Sequence, residues 1–216
     1  MEFFPWLQSS MLYLLLAAFA LIPIALIAAL VYAYRRLPLG TFLMVAAAVF
    51  GLPFAAYKAY ERSFMLSVVP DALEVRSISY SEEESWGFGP GGNEAGIRVY
   101  PLPERVAQQV IARGLAFFEQ MPPNADQQSR RQRGMYETWM ETPIHPDRRW
   151  MPNPTSTLFQ LYDYVCAYGF CIDIDQGIVD EAESIVNSPG SYYAYGRSGL
   201  IVVSPQYKKV LYLYNG

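Results

Sequence analysis

From Phe3 to Tyr57 the chain is almost entirely apolar, and only Arg35 and Arg36 carry charge. These arginines divide the segment into two uncharged stretches, each long enough to cross a bilayer core of about 30 Å, which takes about 20 helical residues. Backbone groups in lipid must be hydrogen-bonded within their own segment, so each stretch is predicted to be a helix. We therefore predict a transmembrane hairpin within residues 1–60, with spans at about 11–34 and 37–57.

A cleaved signal peptide is the alternative interpretation of the first stretch, and the leader argues against it. The leader contains one acid, Glu2, and no Lys or Arg, whereas a secretory signal begins with a positively charged region. The apolar run is also longer than the central region of a signal peptide. We expect the first stretch to be retained as a span.

The distribution of Lys and Arg predicts how the hairpin is oriented. Arg35 and Arg36 lie in the short connector, while Lys58 and Arg62 follow the second stretch and leave its two ends close to balanced. Cytoplasmic loops are rich in Lys and Arg, and the first span usually dominates the orientation. We therefore expect Arg35 and Arg36 in the cytoplasm and residues 61–216 outside it, in the periplasm of a bacterial cell.

After residue 60 the pattern changes to short segments with strand or helix periodicity. Apolar residues repeat at helical spacing in three segments, Pro103 to about Gln120, Thr155 to about Tyr168, and Gly177 to Asn187. Shorter segments with strand character are Phe64–Val69, Leu73–Tyr80, Gly96–Tyr100, Phe170–Ile174, Tyr192–Tyr195, Leu200–Ser204 and Lys209–Tyr214. The chain is therefore predicted to be a membrane-anchored α+β protein, with the hairpin followed by one domain whose antiparallel sheet carries its helices on one side.

The last three strand segments form a predicted meander with a fully apolar middle strand. Leu200 to Val203 is apolar on both faces, which is typical of a strand at the centre of a sheet. Its neighbours are rich in tyrosine. A tyrosine-rich face can stack on sugar rings or form an interface, and cross-strand packing is the interpretation we favour. The tyrosines are Tyr192, Tyr193, Tyr195, Tyr212 and Tyr214.

The net charge of the predicted domain limits the classes of partner that it can bind. Residues 61–216 contain 13 Lys and Arg against 19 Asp and Glu, a net charge of −6. Nucleic-acid binding needs basic patches that neutralise phosphates, so we expect no nucleic acid. The same acidity opposes an electrostatic hold of the whole domain on anionic lipid.

A glycine-rich segment, Ser81 to Glu94, lies between two predicted strands. It lacks the Lys-Ser/Thr pair of a phosphate-binding loop and the spacing of a dinucleotide fingerprint, and its four acids would repel phosphate. We interpret it as a mobile hairpin tip or a loop that contacts a partner, with Trp86, Phe88 and Asn93 as candidate contact residues. Trp86 and Phe88 folded back onto the domain are the other possibility.

The chain has two cysteines, Cys166 and Cys171, separated by four residues. A disulfide fits this spacing if the chain turns at Gly169, and an oxidising compartment would favour it. Two small buried thiols are the alternative. A metal site is not expected, because the sequence has no other cysteine and its one histidine, His145, is distant in sequence.

Two further patterns resemble sites without matching them. Acids cluster along residues 173–183, but Gly177 replaces the Asp or Asn that an EF-hand needs at its fifth position. His145, with Asp163 or Asp173, is the only candidate for proton transfer. We therefore predict no catalytic residues, no metal and no cofactor.

These observations predict a non-catalytic interaction protein of the cytoplasmic (inner) membrane. It would be held in the bilayer by two spans and would present an acidic domain to a protein partner, as an accessory or assembly subunit or as an immunity-type inhibitor. An extracytoplasmic ligand-binding or sensory domain is the alternative. A membrane-tethered hydrolase is a weaker one.

Overall fold

A computed structural model describes residues 5–86, 93–126, 133–136, 138–145, 151, 155–167, 171–197 and 199–215, with the backbone alone for residues 5–20, 86 and 93. The chain forms two compact units, Met1–Tyr60 and Glu61–Gly216. Each unit is described by itself below.

The first unit is helical. Helix α1 covers Pro5–Arg36, α2 covers Leu39–Ala46, and a π-helical turn at Ala47–Gly51 leads into α3, Leu52–Leu66. Because Pro53 has no N–H to donate to the carbonyl four residues before it, the regular ladder cannot continue through this point. The π-helical turn lies immediately before this interruption.

One continuous helix of 28 residues, Leu39–Leu66, is long and apolar enough to cross a membrane, and an 18-residue window within it has a mean hydropathy of 2.0. It is the one such helix where the side chains are described. The prediction of a span at 37–57 is consistent with this helix. The predicted span at 11–34 falls on α1, whose side chains up to residue 20 lie outside the described part, so the two-span hairpin stays a prediction.

The second unit is built on a six-stranded sheet in which every pair of neighbours is antiparallel. The spatial order is β1-β2-β6-β5-β4-β3. The predicted α+β class and antiparallel sheet are therefore confirmed. The strands are β1 Tyr80–Trp86, β2 Asn93–Pro101, β3 Trp139–Glu141, β4 Tyr192–Tyr195, β5 Gly199–Ser204 and β6 Lys209–Asn215.

Helices cover both faces of this sheet, so the prediction that they lie on one side was wrong. Helices α4, Glu104–Arg113, and α5, Leu115–Glu119, pack with the Val68–Leu73 segment on one face. Helices α6, Leu161–Val165, and α7, Gln176–Asn187, pack on the other. The reason is the central strand β5, every residue of which is buried. A strand with apolar side chains on both faces requires a covering layer on each.

Several predicted elements begin or end elsewhere. The segment predicted as a strand at Phe64–Val69 is helical as far as Leu66, and Leu73–Tyr80 joins the sheet only at Tyr80. Strand β1 instead occupies the first half of the segment predicted as a glycine-rich loop. Polar and apolar side chains do not alternate regularly along β1. The strand is held in the sheet by backbone pairing with β2 rather than by burial of one face.

Three further segments differ from their predictions. Thr155 does not cap a helix: its N–H and hydroxyl both donate to Asp163 Oδ2, at 2.6 and 2.8 Å, and α6 begins only at Leu161. The long helix predicted from Pro103 is divided at Gly114, where φ is +57°. The segment predicted as a strand at Phe170–Ile174 has no strand at residues 171–174, and residues 168–170 lie outside the described part.

Candidate functional site

The predicted contact loop lies at the end of the β1–β2 hairpin. The two strands pair from Tyr80 opposite Val99 to Trp86 opposite Asn93. Phe88 and the rest of residues 87–92 lie outside the described part of the chain, as do the side chains of Trp86 and Asn93. Trp86 ends β1 and Asn93 begins β2, and the role of Trp86, Phe88 and Asn93 as contacts stays a prediction.

A buried arginine lies within this hairpin. Arg98 of β2 is 2% exposed, and its guanidinium donates to Glu83 Oε2 of β1. The hydroxyl of Tyr214 in β6 donates to the same oxygen at 2.5 Å. The guanidinium also lies over the Tyr214 ring, with Cζ 4.6 Å from the ring centroid. Arg98, Glu83 and Tyr214 therefore join the three outermost strands at this side of the sheet; we call them the arginine clamp.

Strand register explains how the clamp assembles. Gly96 is opposite Glu83 on one side and Tyr214 on the other, and directly opposed residues share a face of the sheet. Gly96 provides the space for the Tyr214 ring: a Cβ there would overlap the ring and lie 2.7 Å from the carbonyl oxygen of Glu82. Tyr212 stacks on Tyr214 with centroids 5.3 Å apart, which holds the ring in place.

Burial keeps the phenols around the clamp neutral. Burial raises the pKa of Tyr214, against a smaller lowering by Arg98. Burial likewise raises the pKa of Tyr100, whose hydroxyl donates to the carbonyl oxygen of Met65 at 2.7 Å. The opposite charges of the clamp are thus Arg98 and Glu83, and the charge-assisted bond between them is a strong one. The clamp therefore joins the β1–β2 hairpin to β6.

Sequence reasoning missed the clamp, although one signal was present. Arg98 occupies the alternate face from Ile97 and Val99 in a strand whose other face is apolar. That pattern is also typical of an ordinary half-exposed strand. Its partners, Glu83 and Tyr214, are 131 residues apart, and only the assembled sheet brings them together.

Strand β1 forms one edge of the sheet, and among the described residues it has a ladder partner on one side only. Glu82 and Glu84 are exposed on the face of β1 opposite to Glu83. Charged side chains on an edge strand oppose pairing with another copy of the same edge. The acidic edge thus protects the hairpin from self-association.

The two cysteines are joined. Cys166 and Cys171 form a disulfide with 4.7 Å between their Cα atoms, directly after α6. Helix α6 is itself tied to the sheet, because the Asn215 side-chain amide donates to the carbonyl oxygen of Tyr164.

Three of the acids in residues 173–183, Asp175, Glu181 and Glu183, have structural roles. Asp175 caps α7 by accepting from the N–H groups of Gly177 and Ile178, at 2.9 and 3.3 Å. Glu181 pairs with Lys209, and Glu183 accepts from the N–H of Leu161. Within the described ranges, no group of three or more His, Cys, Asp or Glu is arranged to hold a metal ion.

The candidates for proton transfer are not brought together. His145 is exposed, and Asp163 is occupied by the N–H and hydroxyl of Thr155. No hydrogen bond or ion pair joins His145 to Asp163 or Asp173 among the described residues. The predicted topology determinants Arg35 and Arg36 are exposed at the end of α1, with Arg36 Cζ 5.8 Å from the centroid of the Tyr32 ring.

An open groove of about 300 Å³ lies beside the start of α4. Glu74, on its wall, pairs with Arg105. The groove is open to solvent and mixed in polarity. Its lining residues are Glu74, Arg76, Ser77, Pro101, Leu102 and Pro103.

No family model matches the chain, and neither a curated protein nor a solved structure matches it.

Proposed function

We propose that this protein is a membrane-anchored interaction protein of the cytoplasmic membrane, without catalytic activity of its own. Its C-terminal α+β unit is presented at the outer face of that membrane to a protein partner. Accessory or assembly subunits and immunity-type inhibitors are proteins of this kind.

The distribution of exposed apolar side chains carries the proposal. Between Leu21 and Tyr60, 19 large apolar side chains are exposed to solvent. The described part of residues 61–215 exposes four. A soluble protein rarely exposes so continuous an apolar surface. Lipid is the environment in which such a surface is stable, while the second unit buries its apolar residues in two clusters around the sheet.

The proposal includes two spans. Helix α1 ends at Arg36, and Leu39 begins the next helix, so the connector is only two residues long. Tyr34 and Phe42 meet across it, edge to face, with centroids 5.3 Å apart. With Arg35 and Arg36 in the cytoplasm, the second unit lies outside. The Cys166–Cys171 disulfide supports that side, because disulfides persist in oxidising compartments.

Fusions to compartment-specific reporters test the topology. The full chain fused at its C-terminus to alkaline phosphatase should be active, and the same chain fused to green fluorescent protein should be dark. The matched control is a fusion directly after Pro38, in the connector. There alkaline phosphatase should be inactive and green fluorescent protein should fluoresce. Fluorescence from the full-length fusion would refute the orientation, and loss of the chain from membranes washed in alkaline carbonate would refute the anchor.

The state of the cysteines provides an independent test of the compartment. The chain has only two cysteines, so a maleimide-polymer label should add no mass to protein trapped from cells without reductant. After reduction and unfolding it should add two labels. Two labels before reduction would place the unit in a reducing compartment.

A photo-crosslinking residue at Phe88 tests the partner contact. In intact cells it should give one discrete protein adduct, while the same residue at exposed Tyr207 should give none. Identification of the adduct distinguishes the two kinds of partner: a toxin acting in the envelope indicates immunity, and a subunit of a membrane complex indicates an accessory role. Equal adducts at both positions would remove the hairpin tip from the proposal.

A further inference from the structure

Three arginines lie near the C-terminal end of the apolar helix Leu39–Leu66. Arg62 lies five residues after Tyr57, the last residue of the uncharged stretch. Its guanidinium donates to the carbonyl oxygen of Arg76 at 3.0 Å, which places the backbone of residue 76 beside the end of α3. Arg133 comes to the end of α3 from a distant part of the chain, and its Nε donates to Ser67 Oγ at 2.9 Å.

Arg133 and Arg62 lie on different sides of α3. The Arg133 guanidinium stacks on Phe64, with Cζ 4.4 Å from the ring centroid. Phe64 follows Arg62 by two positions, and residues two apart point to nearly opposite sides of a helix. Arg62 and Arg133 therefore flank the C-terminal end of α3 from different sides, and the backbone carbonyl of Arg76 lies beside Arg62; we call Arg62, Arg76 and Arg133 the arginine collar.

The position of Arg133 is built into the fold. The next residue, Gly134, has a φ of +71°, and a Cβ there would lie 2.8 Å from the carbonyl oxygen of Ser67. Asn124 holds the Gly134 carbonyl with its side-chain amide at 2.9 Å. Tyr136 donates to the carbonyl oxygen of Val68 at 2.9 Å. These contacts fix residues 133–136 against the segment that follows α3.

The collar arginines differ in their partners from four other cations of the unit, whereas Arg113, like the collar, contacts a backbone carbonyl, an amide oxygen and an aromatic ring. Arg98 bonds to Glu83, Arg105 to Glu74, Lys208 to Glu104 and Lys209 to Glu181. For the collar, in contrast, the described residues supply a backbone carbonyl, a hydroxyl and an aromatic ring, and no carboxylate. Their positive charge is therefore available to an anion.

We propose that the arginine collar binds the phosphates of anionic lipid headgroups at the membrane surface. This rests on the membrane anchor proposed above. In a helix, five residues advance about 8 Å, which is about the depth of the headgroup layer beyond the hydrocarbon core. Arginine matches the oxygen geometry of a phosphate through paired N–H donors. The collar orients a net-acidic unit on a surface that would otherwise repel it.

Lipid binding by the full-length chain tests the collar. The chain is purified in detergent, and its binding of phosphatidylglycerol and of phosphatidylcholine is measured by native mass spectrometry. Replacement of the collar by glutamine (R62Q, R76Q, R133Q) should weaken phosphatidylglycerol binding by about fivefold per arginine. Phosphatidylcholine binding should not change. Arg35 and Arg36 are present in every variant and contribute equally to its lipid binding. The measured quantity is therefore the change in phosphatidylglycerol affinity relative to the parent chain.

Two matched variants separate charge from fold. Arg197, also without a carboxylate partner among the described residues, lies outside the collar in the turn between β4 and β5, and R197Q should leave lipid binding unchanged. Replacement of the collar by lysine should retain most of the preference for phosphatidylglycerol. If the triple glutamine variant fails to fold, R62Q and R76Q, whose side chains are exposed, are measured singly.

Reconstitution into lipid nanodiscs distinguishes failure of the collar from failure of the anchor. A chain that inserts into nanodiscs but shows no preference for phosphatidylglycerol, or loses it equally in R197Q, overturns the collar and leaves the anchor standing. A chain that does not remain with nanodiscs of either lipid overturns both. Displacement of phosphatidylglycerol by millimolar inorganic phosphate would assign the arginines to free phosphate instead.

Discussion

Arg98 and Tyr214 bond to the same oxygen atom, Glu83 Oε2, while the guanidinium lies over the tyrosine ring. Because the acceptor is shared, the three side chains of the arginine clamp depend on one another: removal of any member leaves a buried polar group without its partner. The clamp connects β1, an edge strand, to β2 and β6. The order of the hairpin that carries the candidate contact residues therefore depends on it.

Tyr214→Phe should lower the free energy of unfolding of the second unit by about 2 kcal/mol, because a hydrogen bond to a charged group contributes about 1.5–3 kcal/mol. The measurement is a urea titration of the full chain in detergent, followed by tryptophan fluorescence. Tyr207→Phe is the matched control: its hydroxyl contacts Ser184 Oγ at 3.1 Å on the surface. Its effect should stay below about 0.5 kcal/mol. Equal effects of the two substitutions would contradict the clamp.

Alkaline pH should destabilise the second unit through its buried phenols. Burial raises the pKa of Tyr100, Tyr136 and Tyr214 in the folded chain above the ordinary value of about 10. As pH rises, the unfolded chain therefore loses these protons first. The free energy of unfolding should be independent of these groups below about pH 10 and fall above it, by up to about 1.4 kcal/mol per pH unit for each phenol.

Urea titrations between about pH 8 and about pH 11 measure this dependence. Tyrosinate absorbance, recorded in the same samples, should rise together with unfolding for the buried phenols. Tyr100→Phe and Tyr214→Phe should each make the alkaline slope shallower. A slope that neither substitution changes would assign the alkaline loss to other groups.

Local patterns predicted the parts of the fold that local forces determine. Helix α7 and the strands β4, β5 and β6 match their predicted segments to within two residues at each end, because apolar periodicity and turn residues mark them. Strand β1 could not be predicted in this way. Its sequence, Tyr80 to Trp86, has three consecutive glutamates and no apolar face, and its place in the sheet depends on pairing with β2.

The candidate surfaces depend still more on long-range structure. The loop residues Trp86, Phe88 and Asn93 could be proposed from composition alone. The clamp required the register that places Gly96 between Glu83 and Tyr214. Likewise, nothing in the sequence places Arg133 beside Ser67, 66 residues earlier.

Gly114→Ala should lower the free energy of unfolding by about 1–3 kcal/mol, the cost of a non-glycine residue in a backbone conformation of this kind. Gly114 divides α4 from α5 at a φ of +57° and a ψ of −140°. A Cβ there meets only the Tyr192 hydroxyl, at 3.5 Å, so the cost arises from the backbone rather than from overlap. The break directs Phe118 onto Trp139, with ring centroids 4.2 Å apart.

Gly40→Ala is the matched control for the glycine prediction. Gly40 lies in α2 and does not have a positive φ, and a Cβ added there would meet no heavy atom within 4 Å. Thermal melting of the second unit, followed by near-ultraviolet circular dichroism, should be unchanged by this substitution. A Gly114→Ala chain that melts at the parent temperature would show that the α4–α5 break tolerates a side chain.

Asp175 and Asp173 provide a test that separates helix capping from calcium binding. Asp175 accepts from two N–H groups at the start of α7, and loss of such a cap costs about 1 kcal/mol. Asp173 is exposed two positions earlier. If capping is the role of this segment, Asp175→Ala should destabilise the second unit by about that amount, while Asp173→Ala should change it by less than about 0.5 kcal/mol.

Added calcium should not shift the melting temperature of either variant or of the parent chain. A calcium site would give the opposite pattern, since a ligand that binds only the folded state raises the melting temperature and loses that effect with either carboxylate.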